Sequence, residues 1–316
     1  TFDTCLRFLK EDPWDRLVKI RESIPNLLLQ MLIRGDNAVG YKNYPSWVVR
    51  EFITETAQSG LDIFRIFDCF NQTTKMSVAI DQVKKENKIV ESCICYSGDI
   101  TDPTKSKYDL KYYLEIAKNL EDMGTDILCI KDMAGLLKPK AASILVKALK
   151  ETIDIPIHLH THDTPGTGVS MLIAAGEAGC DIVDGALSSM SGLTSQPSLN
   201  AIIAATNNEE IQTGVDLESL DHISRFWEST RRMYKAFDPG LVSTTTDIYS
   251  HEIPGGQYSN LYQQARKVGL SSNEFYELTC RYKEVNDLLG NVIKVTPSSK
   301  IVGDTALFLH KNKITG

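Results

Sequence analysis

The sequence lacks most of the features that would send it into a membrane, out of the cell or onto nucleic acid. Its 316 residues hold no apolar run near the roughly 20 residues that a spanning helix needs. Basic residues are not in excess, and a net charge of −7 argues against a nucleic-acid footprint. The chain opens Thr1-Phe-Asp3 with neither Met nor a charged-then-apolar leader, so no signal peptide is expected and the start reads as that of a fragment. Seven cysteines, odd in number and scattered, make no disulfide framework and favour a reducing compartment. Cys93 and Cys95 have close spacing, but they sit in an apolar stretch that reads as buried strand rather than a metal pair. No G-x-G-x-x-G follows the first predicted strand, which weakens a dinucleotide-binding reading. Internal repeats and low-complexity linkers are absent. Histidine is scarce, with six in the chain, so its distribution carries information.

Half of those histidines fall in Ile155-Pro-Ile-His-Leu-His-Thr-His-Asp163. Side chains two apart share a face of a strand, so His158, His160 and His162 point the same way. A second apolar strand, Asp126-Ile-Leu-Cys-Ile-Lys-Asp-Met-Ala-Gly135, ends on Lys131 and Asp132. Imidazoles beside a strand-end lysine suggest a metal site. At about 3.3 Å per residue, His158 lies a layer deeper than His162. The rim pair His160 and His162 can therefore share one ion open to substrate, and His158 is better explained as support or packing.

The hydrophobic pattern predicts strands at 27–33, 62–68, 89–98, 126–135, 155–163 and 181–187, with a helix between each pair. The strands are apolar throughout rather than alternating, which means a parallel sheet covered on both faces. Polar residues end nearly every strand: Arg34, Asp68, Ser97, Lys131, His160 with His162, and Ser188. A (β/α)8 TIM barrel builds its active site on that rim, so this α/β barrel is the expected fold, two strands short of closure. From residue 197 the pattern turns to helices at 201–206, 217–237, 260–268, 273–289 and 304–311, separated by polar loops. The expected domains are a barrel portion, 1–196, and a helical region, 197–316, over the barrel mouth.

Each polar candidate has a bland counterpart. Lys131 is either salt-bridged, to Asp132 or another rim acid, or converted by carbon dioxide to an anionic carbamate ligand. Arg34 suits a carboxylate clamp, because its fork matches two oxygens, or a structural ion pair. Asp68 and Asn71 read as loop-capping residues and Tyr41 as a packed loop aromatic. Thr296 precedes Pro297, so its backbone is extended. Its hydroxyl can donate and accept, or only cap the helix that follows.

Beyond these residues the chain carries Arg7-Phe-Leu-Lys-Glu-Asp-Pro-Trp14, Gln30-Met-Leu-Ile-Arg-Gly35, Gly40-Tyr-Lys-Asn-Tyr-Pro45 and Cys95-Tyr-Ser-Gly-Asp99. It also carries Ile130-Lys-Asp-Met-Ala-Gly-Leu-Leu-Lys-Pro139, His160-Thr-His-Asp-Thr164, Met190-Ser-Gly-Leu-Thr-Ser-Gln-Pro-Ser198 and Lys294-Val-Thr-Pro-Ser-Ser-Lys300. Together they resemble the carboxyltransferase domain of the pyruvate carboxylase family, from the first residue to the last. The oxaloacetate decarboxylase α subunit and the transcarboxylase large subunit share the Lys-Asp-Met-Ala and His-x-His elements.

The resemblance implies carboxyl transfer from carboxybiotin to pyruvate, giving oxaloacetate. It implies a divalent zinc, manganese or cobalt ion on His160, His162 and a carbamylated Lys131. Arg34 would hold pyruvate's carboxylate, with Asp3 and Tyr41 supporting, and Ser299 would join the substrate site. Thr296 would carry the proton between pyruvate's methyl group and biotin. Implied partners are a biotin carrier domain and a homotetramer of the full-length protein, in bacterial cytoplasm or mitochondrial matrix. The family's Arg-Asp-Ala-His-Gln motif, which supplies an aspartate ligand on the first barrel strand, is absent, which matches the two strands missing from the count. The rival expectations are a decarboxylase or transcarboxylase subunit and a catalytically incomplete structural fragment.

Overall fold

The computed structural model describes Phe2, residues 5–235 and residues 241–314. Among these, six strands are hydrogen-bonded in sequence order: β1 (Gln30–Ile33), β2 (Ile63–Ile66), β3 (Ile89–Cys95), β4 (Ile127–Asp132), β5 (Ile157–Thr161) and β6 (Ile182–Val183). The pairings β1 with β2, β2 with β3 and β5 with β6 are parallel. Between the strands lie α2 (Ser46–Gln58), α3 (Ser77–Lys85), α4 (Leu110–Asp122), α5 (Pro139–Lys150) and α6 (Gly168–Glu177), and α1 (Pro13–Ser23) precedes β1. The βα repeat and six-strand count agree with the sequence reading of a TIM-type barrel two strands short.

The chain divides into two compact units. The first comprises residues 1–94, 111–129 and 152–157. Its core draws on Val49 and Ile53 of α2, Phe64 and Ile66 of β2, Ile80 and Val83 of α3, and Leu120 of α4, all essentially without solvent exposure. A buried polar cluster interrupts the apolar packing: Arg65 Nε donates to Glu91 Oε1 at 2.6 Å, and Gln30 Nε2 donates to the other carboxylate oxygen. Burying that carboxylate is tolerable only because it is paired and hydrogen-bonded.

The second unit comprises residues 95–110, 130–151 and 158–316. It contains α7 (Leu199–Thr206), α8 (Leu217–Met233), α9 (Ile248–His251), α10 (Gly255–Lys267), α11 (Ser272–Leu288) and α12 (Ser298–Lys311). Leu261, Leu278, Tyr282, Val285, Val302 and Ala306 form the shared core of the last three helices. Ser271 caps α11 with a reciprocal capping box to Glu274.

Several boundaries differ from the pattern. The expected strand 181–187 is regular only at Ile182–Val183: Asp184 N still donates to Leu159 O at 3.0 Å, and Ala186 then bridges Ser198 instead. Helix α10 starts at Gly255, inside the stretch expected to be loop, and α12 starts at Ser298 rather than near residue 304. Gly-Gly and Pro-Ser-Ser read locally as turns, and tertiary contacts overrode that propensity. The predicted helix at 217–237 ends at Met233, and residues 236–240 lie outside the described set, as does Asp3.

Candidate active site

The site begins with the alternation of β5. Thr161 faces one side, where its Oγ1 donates to Asp132 Oδ2 at 2.9 Å. His158 and His160 reach a common partner on the chain beyond β6: His158 Nε2 lies 2.8 Å from Asp184 Oδ1, and His160 Nδ1 lies 2.6 Å from Asp184 Oδ2. An ionised carboxylate only accepts, so each of those nitrogens carries the proton. Just past the strand, His162 Nδ1 donates to the Thr194 carbonyl at 2.7 Å. The rings of His160 and His162 stand 5.3 Å apart, edge to face.

Burial keeps both imidazoles neutral. It pushes the His160 pKa down to about 3, aided by the positive charge of Lys131, and that of His162 down to about 4. A neutral ring with its proton on Nδ1 has its lone pair on Nε2, the atom a metal would use. A ligating histidine characteristically gives its other N–H to a carboxylate or a backbone carbonyl, and that is the arrangement at His160 and His162.

Lys131, 2% exposed, is the last residue but one of β4 and lies within the same unit. The neighbouring Asp132 accepts from the amides of Leu136 at 2.9 Å and Leu137 at 3.0 Å as well as from Thr161, so its carboxylate shapes the turn after β4. Burial raises its pKa against those bonds. Gly255 completes the setting. Its amide donates to Met133 O, and a β-carbon there would stand 2.9 Å from His162 Nδ1, so only glycine lets α10 begin this close. Among the described residues no group of three His, Cys, Asp or Glu is placed to hold a metal. The donor set is two imidazoles with Lys131 in their field.

Asp184 was missed by the sequence reading, which counted it as part of an apolar strand. The signal was available: a charged residue ending an apolar strand is the rule that selected Arg34 and Lys131.

The remaining candidates fall in two places. In the first unit, Arg34 Nη1 donates to Val39 O at 2.7 Å and Gly40 O at 3.0 Å, and the guanidinium stacks 5.0 Å from the Tyr41 ring centre. Gly35 makes that turn possible, with φ +44° and Lys75 O 2.6 Å from where a β-carbon would be. Asp68 accepts from the amides of Phe70 and Gln72, a loop-capping geometry. In the second unit, Thr296 occupies the turn before α12. Pro297 holds the N-cap position without a side-chain cap bond, and Thr296 makes no side-chain hydrogen bond among the described residues. The capping role weighed for it is therefore not seen. Ser299 is 1% exposed and its Oγ has no hydrogen-bond partner among the described residues. The histidines and Lys131 share one cluster, and neither Thr296 nor Ser299 is hydrogen-bonded to it.

Residues 60–226, more than half of the sequence, match the HMGL-like family, and residues 248–316 match a conserved carboxylase domain. The chain belongs to the HMGL-like family. This HMGL-like chain is 54% identical to pyruvate carboxylase of Bacillus subtilis and 49% identical to the mitochondrial pyruvate carboxylase of Rattus norvegicus. Each alignment covers 100% of the chain and 27% of the relative, so the chain spans about a quarter of their length. The solved carboxyl transferase domain of Rhizobium etli pyruvate carboxylase with 3-hydroxypyruvate superposes with a TM-score of 0.98 at 49% identity, covering 100% of this chain and 53% of that one. The same domain with pyruvate gives 0.97 at 49% identity, with the same coverage.

Acid stability checks the neutral histidines of this HMGL-like chain. The His251 pKa is also lowered, to about 4, by burial, and its Nδ1 accepts from the Ile253 amide. All three folded values lie below the ordinary histidine value of about 6.5. As pH falls below 6.5, the unfolded chain takes up protons that the folded one refuses. Stability should drop from that point towards pH 4, each ring contributing up to roughly 1.4 kcal/mol per pH unit. Urea midpoints measured without metal between pH 7.5 and 5 should fall, and a flat profile would contradict neutral burial.

Proposed function

We propose that this chain performs carboxyl transfer in a biotin-dependent pyruvate carboxylase: carboxybiotin and pyruvate give biotin and oxaloacetate. What carries the reading is the His160–His162 pair, neutral and held through Nδ1, in a chain similar over its whole length to carboxyl transferase domains. The donor chemistry fits a divalent ion, zinc, manganese or cobalt, on Nε2 of each ring and on Lys131 as its carbamate. Such an ion would supply Lewis-acid charge. In forming the carbamate, the neutral Lys131 amine adds to carbon dioxide and loses one proton, replacing a cation with an anionic oxygen donor. That change also removes the positive charge from beside the two rings.

The chain's own residues do the rest. Arg34, its plane set by the Val39 and Gly40 carbonyls and the Tyr41 ring, holds pyruvate's carboxylate, with Tyr41 and Asp3 supporting. It offsets the charge that develops on the enolate. Thr296 Oγ accepts the proton leaving pyruvate's methyl carbon in the same step as it gives up its own hydroxyl proton. The carbon attacks the carboxyl carbon of carboxybiotin, the N–C bond breaks, and the biotin nitrogen takes the proton from Thr296. Ser299 offers its buried hydroxyl to the substrates.

The barrel portion, 1–196, supplies the metal and pyruvate groups, and the helical region, 197–316, supplies Thr296 and Ser299. Biotin arrives on a carrier domain outside this sequence, in a homotetramer of the full-length protein. The higher identity to a bacterial relative supports a bacterial cytoplasm. No helix among the described residues is long and apolar enough to cross a membrane.

The test is oxaloacetate formation from pyruvate, ATP and bicarbonate by the carboxylase containing this sequence. A protein that carboxylates biotin yet never transfers to pyruvate would refute the reading. The carbamate has its own test: with ¹³C-bicarbonate, the metal-loaded protein should show a carbamate carbon resonance that disappears in Lys131→Ala. Its absence from wild-type protein would leave Lys131 an ordinary ammonium.

A further inference from the structure

Two residues before Thr296, the side chain of Lys294 turns inward and is 1% exposed. Its Nζ donates to Asn291 Oδ1 at 2.6 Å and to Val292 O at 2.9 Å, and it lies 3.2 Å from Glu252 Oε2. Three ammonium hydrogens thus meet three acceptors. Burial pulls the ammonium's pKa down and the Glu252 carboxylate opposes it, so the charge depends on the pair. Glu252, just after α9 with φ 55°, also faces Lys105 at 3.4 Å.

The backbone around Lys294 is fastened as well. Its amide donates to Ser97 Oγ at 3.1 Å, and Asn291 Oδ1 accepts a second bond from Asn286 Nδ2 at 3.0 Å. Val295 N donates to Ile293 O at 2.9 Å, and Ser298 Oγ donates to Ile293 O and Val295 O. Every neighbour is tied while the Thr296 hydroxyl itself is not. Buried ion pairs contribute little net stability over apolar residues of similar size, and fixing one conformation is among their attested uses.

We propose that Lys294 is a positioning residue for proton transfer: its ammonium, held by Glu252, Asn291 and Val292, fixes the turn that presents the Thr296 hydroxyl. The proposal rests on the reading of Thr296 given above. A hydroxyl that must accept from carbon and donate to nitrogen has to lie within hydrogen-bond reach of both. A displacement of about 1 Å can cost on the order of 100-fold in rate.

The experiment compares Lys294→Met with Glu252→Gln, Glu252→Gln alone, and Thr296→Ala, all in the full-length carboxylase containing this sequence. Removing both charges together leaves no uncompensated buried ion, so the double variant should fold. Its kcat for pyruvate carboxylation should fall about 10- to 100-fold. Pyruvate KM should stay within about twofold and bicarbonate-dependent ATP cleavage should be unchanged, because binding and the distant half-reaction are untouched. Added to Thr296→Ala, the double change should cost nothing further, since both act on one step. A merely structural role would instead multiply with Thr296→Ala or lower both half-reactions. Normal kcat in a folded double variant overturns the proposal. If that variant does not fold, Glu252→Gln decides, with a reduced kcat at unchanged KM expected and an unchanged kcat overturning it. Normal turnover in Thr296→Ala sinks the proton-transfer reading itself, whereas a dead Thr296→Ala beside a normal double variant sinks only the role of Lys294.

Discussion

Thr296→Ala should lose pyruvate carboxylation by about 10²- to 10⁴-fold while biotin carboxylation by the distant domain continues. Thr296→Ser, which keeps the hydroxyl, should retain appreciable turnover. In the proposed carboxyl transfer, one group takes a proton from pyruvate's methyl carbon and returns one to biotin's ring nitrogen. A strong acid or base suits only one of those events, and a hydroxyl within reach of both suits each. The alternative, a threonine that only caps the next helix, would cost about 1 kcal/mol of stability and leave turnover intact. The geometry already speaks against it, since Pro297 occupies the N-cap without a side-chain bond and α12 starts at Ser298. A folded Thr296→Ala enzyme with near-normal carboxyl transfer would end the proton-carrier role.

His160→Ala and His162→Ala should each lower bound divalent metal at least about tenfold in affinity, judging from the 10- to 100-fold losses that follow removal of mere supporting partners. His158→Ala should act mainly on stability, by about 1–3 kcal/mol, because Asp184 loses one of its two imidazole donors. Metal analysis of the three purified variants separates these outcomes. Loss confined to His158→Ala would mean that the ligand pair was chosen wrongly.

The parallel α/β architecture was legible because it is written in local pattern. Continuous apolar runs such as Ile127–Cys129, each followed by an amphipathic helix, have no stable home except a sheet covered on both faces. The placing of His160 and His162 on one side followed from the two-residue period of a strand, and Lys131 from its position at a strand end. Boundaries failed where local propensity and tertiary demand disagreed. Gly255-Gly256 reads as loop, yet Gly255 opens α10 because nothing larger fits beside His162.

What the sequence by itself determined, then, was the order of elements, the residue types at the strand ends and the family likeness. Only the tertiary structure decided which partners hold them. Asp184 is 26 residues from His158 and 24 from His160, and Thr194 is 32 from His162. Glu252 meets Lys294 across 42 residues of sequence and Lys105 across 147. Such pairings fix tautomers, charge states and the rigidity of the Thr296 turn. They depend on how the chain folds back on itself, and a hydrophobic period of two or 3.6 residues carries no record of that.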